Sequence, residues 1–199
     1  MYEADKTAII LIGYQNDYFA KDGILHAVVQ DDVERNNTLE NTLNLLNTLQ
    51  DTNVCFISTP IHFSPDYHEL NTPAGLMAQI KDLGAFSREG PGGATIPELI
   101  SFGDRVNHIT GKTSFNAFNG TGLHDYLKEK GIDTLLFAGV VTSICIDSTA
   151  RAASEYGYNC VVLRDCISGR SMEENNYYCE NIFPLYARVE ESGAIKHAF

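Results

Sequence analysis

An α/β fold, a three-layer doubly wound and mostly parallel sheet of about six strands with helices on both faces, is what this sequence predicts on three observations. Short, almost continuous apolar runs recur, as in Thr7-Ala8-Ile9-Ile10-Leu11-Ile12, which suits strands covered on both faces. Segments with helical spacing lie between the runs, and that alternation implies parallel pairing through right-handed crossovers. The chain has 199 residues and 44% hydrophobic content, enough for one full core and too few for two domains of ordinary size. One domain over 1–199 is expected.

The first run ends at Gly13. Val33 to Leu49 then carries Leu39, Leu43, Leu45, Leu46 and Leu49 at helical spacing, and Val54 to Ser58 reads as the second strand. From 61 to 103 the rhythm breaks around Pro65, Pro73, Pro91, Pro97 and the Gly90-Pro91-Gly92-Gly93 cluster, while Leu70, Leu76, Met77, Ile80, Leu83 and Phe86 remain to pack with. An excursion of that length in a compact domain is usually functional, so a lid or pocket wall is expected. Arg105 to Thr110 is a more polar strand candidate. Leu123 to Lys130 is a helix stopped by Gly131. Thr134 to Ala138 and Cys160 to Leu163 are the next strands, and the aromatic segment Tyr177 to Ala187 is suited to docking on the body or on a neighbouring subunit.

With 26 acidic against 14 basic residues the formal charge is −12, and no Lys/Arg stripe interrupts it. Nucleic acid and anionic membrane are poor partners for such a surface. The polar opening and the lack of an apolar run near ~18 residues predict neither signal peptide nor anchor, hence a cytoplasmic protein. Five cysteines, at 55, 145, 160, 166 and 179, form no C-x-x-C pair and are expected to be reduced.

Chemistry concentrates in the segment Leu135 to Ala150, which runs from a strand through a tight turn into a helix. Side chains at the start of such a helix point into the crevice at the C-terminal ends of the strands. Cys145 sits there, where the unpaired N–H groups of the first turn favour thiolate and can hold an oxyanion. A small residue packed under the helix would give the same spacing.

Other residues decide between the two. Gly111-Lys112-Thr113-Ser114-Phe115-Asn116-Ala117-Phe118 and Gly139-Val140-Val141-Thr142-Ser143-Ile144-Cys145 resemble two marks of the isochorismatase-like cysteine hydrolases, G-K-x-x-x-x-A-F and G-[VA]-x-T-x-x-C. The resemblance covers nearly the whole chain. It implies Cys145 as nucleophile, Lys112 as its electrostatic partner, a cis peptide at Val140-Val141 and an oxyanion hole of the Val141 and Cys145 N–H groups. It also implies hydrolysis of a C–N bond in a small amide, ureido or carbamoyl compound, no organic cofactor, and a homodimer or homotetramer.

The third mark, D-x-Q-x-D-F, departs here. Gly13-Tyr14-Gln15-Asn16-Asp17-Tyr18-Phe19 puts Gly13 where the family carries its proton-transferring Asp, and general acid–base help is typically worth ~10²–10⁴-fold. Asp17, His62 and Tyr14 are the nearest substitutes, although Asp17 also suits a structural role. Pocket positions are expected at Gly13, Tyr18, His62, Phe118 and Arg170, the last able to meet an anionic substrate or simply a surface carboxylate. Nicotinamidases hold a metal through Asp-x-His…His; here Pro60 replaces that Asp, and His62, Asp66 and His68 make only a weak set, so no metal is expected. Three other functions stay open: a ligand-binding or regulatory protein on the same fold, a vinyl-ether hydrolase of isochorismatase type, and a redox sensor pairing Cys145 with Cys166.

Overall fold

The computed structural model describes residues 2–196, 198 and 199. At its centre is β1 (Thr7–Ile12), in which every residue is buried. That is the consequence of its apolar sequence, since only a strand flanked by neighbours and covered on both faces leaves no side chain in water. The chain continues through the short α1 (Asn16–Phe19), α2 (His26–Asn36), α3 (Thr38–Leu49), β2 (Cys55–Ser58), α4 (Leu76–Leu83) and the one-turn α5 (Pro97–Ile100). Next come β3 (Val106–His108), α6 (Leu123–Glu129), β4 (Thr134–Val140), α7 (Asp147–Glu155), β5 (Asn159–Ser168), α8 (Met172–Tyr177), β6 (Arg188–Glu190) and α9 (Ser192–Lys196). The six strands form one sheet in the order β3-β2-β1-β4-β5-β6, and each neighbouring pair is parallel. The α/β expectation describes the molecule.

Alternation along β1 divides the core. Ala8, Ile10 and Ile12 face a cluster with Leu123, Leu127, Ala150 and Ala153 of α6 and α7. Ile9 and Leu11 face Leu45, Leu46 and Leu49 of α3 and Ile195 of α9. A third cluster joins Phe63, Tyr67, Ile80 and Phe86 of the 61–103 excursion to Tyr18, Val29, Val140 and Val141. The excursion therefore packs onto the turn that follows β4.

Two details differ from the sequence reading. The helix expected over Val33–Leu49 is two helices, broken at Asn37, whose φ of 50° is left-handed, a conformation asparagine tolerates better than most residues. The break is pinned from the sheet, for Asn36 Nδ2 donates to the carbonyls of Arg164 and Ile167. The short edge strand β6 lies beyond the five runs identified in the sequence.

Gly139 is the tightest point of the sheet. Its φ is +124°, and a Cβ there would lie 1.8 Å from the carbonyl oxygen of Ile12 on the neighbouring strand. Substitution must push apart the two strands whose ends build the crevice. Gly139→Ala is expected to lower stability by roughly 3 kcal/mol or more, read as a fall in the urea midpoint.

Candidate active site

The register Ile12↔Gly139 brings the ends of β1 and β4 together. Beyond β4 the Val140–Val141 peptide is cis, and a π-helical turn over Thr142–Ile146 leads into α7. Such turns often mark functional sites. Cys145 lies in the turn and is 5% exposed. Two hydroxyls fix its surroundings: Thr142 Oγ1 donates to Asn175 Oδ1 at 2.7 Å, and Thr149 Oγ1 accepts the Ala117 N–H at 3.1 Å. The second bond ties the segment carrying Lys112 to α7, which follows the turn carrying Cys145.

Lys112 is only 1% exposed. Its backbone is held by the His62 N–H, which donates to the Lys112 carbonyl at 3.0 Å. Among the described residues no ion pair includes it. Burial pushes its ammonium below the ordinary lysine range, and Cys145 is the one titratable side chain that acts against that shift. A buried cation without a partner is costly. A thiolate on Cys145 is the counter-charge this arrangement is able to use.

Gly13 has φ +75°, and a Cβ on it would fall 2.8 Å from the Val140 carbonyl oxygen, 2.9 Å from Val140 Cγ2 and 3.4 Å from Tyr18 Cδ2. The backbone here favours glycine, and a side chain would need the Val140 segment to shift. Tyr18 is buried, with its ring centroid 5.2 Å from that of Phe86. Burial pushes its phenol well above the usual value, and negative charge on Cys145 and Asp17 adds to the shift.

A protein-family model described as the isochorismatase domain matches residues 7–193. The chain belongs to the isochorismatase family. Within that family it is 40% identical over 87 residues to the uncharacterized protein YecD of Escherichia coli O157:H7, covering 44% of this chain and 46% of that protein. The same share, 46%, of the uncharacterized Bacillus subtilis protein YwoC is matched at 37% identity over 45% of this chain, so the matches span about half the length of these relatives. Maleamate amidohydrolase of Pseudomonas putida is 26% identical over 92% of this chain and 82% of that protein. Two solved structures share the fold: a cysteine hydrolase from Pseudomonas syringae (TM-score 0.81, 17% identity, 98% of this chain and 92% of that one) and N-carbamoylsarcosine amidase from Thermoplasma acidophilum (0.73, 20%, 94% and 96%).

In this isochorismatase-family chain the sequence-nominated residues divide. Cys145, Lys112, Gly13 and Tyr18 are brought together through the contacts and charges above. Asp17, 2% exposed, accepts from the Phe86 N–H at 2.6 Å and the Ile24 N–H at 3.4 Å, so its carboxylate holds the excursion, the structural role the sequence also suited. Tyr14 points into the opposite core cluster and shares a 2.7 Å hydrogen bond with Thr42 Oγ1. Cys166 also belongs to that cluster and Cys145 to the first, so the sheet separates the thiols that a redox pair would join. Arg170 is on an exposed helix start, bonded to Glu174 Oε2 at 2.7 Å, and Phe118 packs its ring on Tyr156 and Tyr158. Among the described residues no three His, Cys, Asp or Glu side chains converge as for a metal. His68 pairs with exposed Asp66 at 2.9 Å, while His62 Nε2 lies 2.7 Å from the Gly93 carbonyl oxygen.

Gln15 is the residue to which the sequence motif gave no role. Its side chain donates to the carbonyls of Ile61 at 2.9 Å and Gly93 at 2.7 Å, and accepts the Ile61 N–H at 2.9 Å. Its place between Gly13 and Asp17 in the motif was the available signal. Gln15→Leu leaves the Ile61 N–H and carbonyl without partners and Gly93 with His62 alone, and should cost about 2–4 kcal/mol, with faster amide exchange across 61–93.

Burial pushes the His62 imidazole below its ordinary value, partly opposed by the Gly93 contact. As pH falls the unfolded chain takes the proton first, so this contribution is complete above the ordinary histidine value and is lost toward the lower folded-state value. His62→Gln, which keeps a donor for Gly93, should flatten the decline in stability between about pH 7 and pH 5, measured by urea unfolding.

Proposed function

We propose that this chain hydrolyses a C–N bond in a small amide, ureido or carbamoyl compound through an acyl-enzyme on Cys145. The observation that carries the reading is the buried Lys112, in no ion pair among the described residues and acted on by the charge of Cys145. The names of the relatives support it, since they include maleamate amidohydrolase and ureidoacrylate amidohydrolase.

The Cys145 thiolate attacks the carbonyl carbon, aided by the Lys112 charge. The oxygen that becomes an anion is received by the Val141 and Cys145 N–H groups, donors fixed by the turn before the reaction starts. Collapse of the tetrahedral intermediate expels the amine, and water releases the acid from the thioester. No organic cofactor is required by these steps. Tyr18 and the half-buried His62 wall the crevice. We further propose a cytoplasmic homodimer or homotetramer; no helix among the described residues is long and apolar enough to cross a membrane.

The second reading, a small-molecule-binding or regulatory protein, is favoured by one observation, the absence of a side chain at Gly13. Intact-mass analysis after incubation with a panel of small amides, ureides and carbamoyl acids separates the two. An acyl adduct or steady turnover is expected, and Cys145→Ala should abolish the adduct and reduce turnover at least ~10³-fold. A compound that raises the melting temperature without adduct or turnover identifies a binding protein.

A further inference from the structure

We propose that Lys112 carries the proton through the whole catalytic cycle, alternately as acid and base, in the place of the carboxylate that Gly13 lacks. The inference rests on the hydrolase reading above and assigns a step which that reading leaves without an agent. The Lys112 side chain is buried and, among the described residues, no carboxylate pairs with it to hold its proton in place.

The groups around the site leave few other carriers. From the turn before α7, Cys145 is the titratable group whose charge acts on Lys112. From α1 come Asp17, whose oxygens are taken by the Phe86 and Ile24 N–H groups, and Tyr18, whose phenol is pushed up by burial and by the charges of Cys145 and Asp17. A phenol so shifted accepts no proton near neutrality from a thiol. From the segment after β2 comes His62, whose Nε2 is engaged by the Gly93 carbonyl. At position 13 any side chain would collide with Val140. Burial also lowers the proton affinity of Lys112, which brings an amine closer to the range where it both gives and takes a proton.

The proton count closes on this residue. The Cys145 thiol proton passes to the Lys112 amine, giving thiolate and ammonium. Thiolate attack forms the S–C bond and moves the carbonyl electron pair onto oxygen. Collapse breaks the C–N bond as Nζ–H delivers its proton to the departing nitrogen, leaving neutral Lys112. Water then attacks the thioester while Nζ accepts its proton, and breakage of the S–C bond restores thiolate and ammonium. The sum is amide plus water giving acid plus amine.

The test compares wild type, Lys112→Met, Lys112→Arg and Tyr18→Phe, each checked for folding by its melting temperature. Cys145 alkylation by iodoacetamide is followed by intact mass from pH 5 to 10, with Cys145→Ala as blank; these limits bracket the ordinary cysteine range near about 8.5. Lys112→Met should move the alkylation midpoint up by about one pH unit or more, and Tyr18→Phe should leave it in place. With p-nitrophenyl acetate, whose leaving group departs as an anion without a proton, the first burst of Lys112→Arg reads thiol activation alone and should fall less than the turnover that follows. Its later turnover should fall ~10²-fold or more, since a guanidinium cannot take the proton from water. An unmoved alkylation profile in Lys112→Met, or wild-type turnover after the burst in Lys112→Arg, overturns the role of Lys112 and leaves the hydrolase reading standing. A shifted alkylation profile with no acylation of wild type by the ester or by any amide of the panel overturns the hydrolase reading, and the cycle with it.

Discussion

Withdrawing an ammonium group from water costs several kcal/mol unless a negative charge answers it, and Lys112 is withdrawn almost completely. The rest of the site is arranged around that cost. The Lys112 segment is fastened on one side by the His62 N–H and on the other by the bond from Ala117 to Thr149. The lysine therefore cannot swing to the surface without disturbing both the excursion and α7. The group it acts on, Cys145, is presented by a turn that Thr142 ties to α8 through Asn175. Lys112 and Cys145 are each anchored to rigid elements rather than to each other; for the hydrolysis proposed above, that is the condition under which electrostatic help costs little reorganisation.

Gly13 has the opposite character, a place where the chain tolerates nothing beyond a hydrogen. Its φ of +75° and the nearness of the Val140 carbonyl make the missing carboxylate a property of the backbone as well as of the side chain. Adding the acid back would require the β1 end and the turn after β4 to move apart. The chemistry of this chain is best understood as organised around glycine at that position.

Most of the fold was legible because its strands are buried on both faces and so are written as apolar runs; β1 is the clearest instance. The edge strand Arg188-Val189-Glu190 was not, since three residues with exposed or half-exposed side chains need no apolar signature. The break at Asn37 was hidden by the leucines that follow it, which continue the helical period without the preceding turn. In the site, Cys145 and Lys112 were marked by motif and order. What escaped was whether a candidate's polar atoms are already taken: the Asp17 carboxylate by two main-chain N–H groups, the Arg170 guanidinium by Glu174. Face was the other missing quantity. Tyr14 and Tyr18 are four residues apart at the end of a strand and the start of a helix, and only the three-dimensional path sends one to α3 and the other to the crevice.

The Gln15 side chain grips the excursion at both Ile61 and Gly93, so the chain between them is a loop closed at its neck by one residue of the opposite wall. Lengthening such a loop adds only slowly to its closure entropy. The mostly exposed stretch over 71–75, between the buried anchors Tyr67 and Ile80, is thus the part free to lengthen, shorten or change composition while the neck stays constant. An insertion there changes the outer wall and leaves the neck as it is.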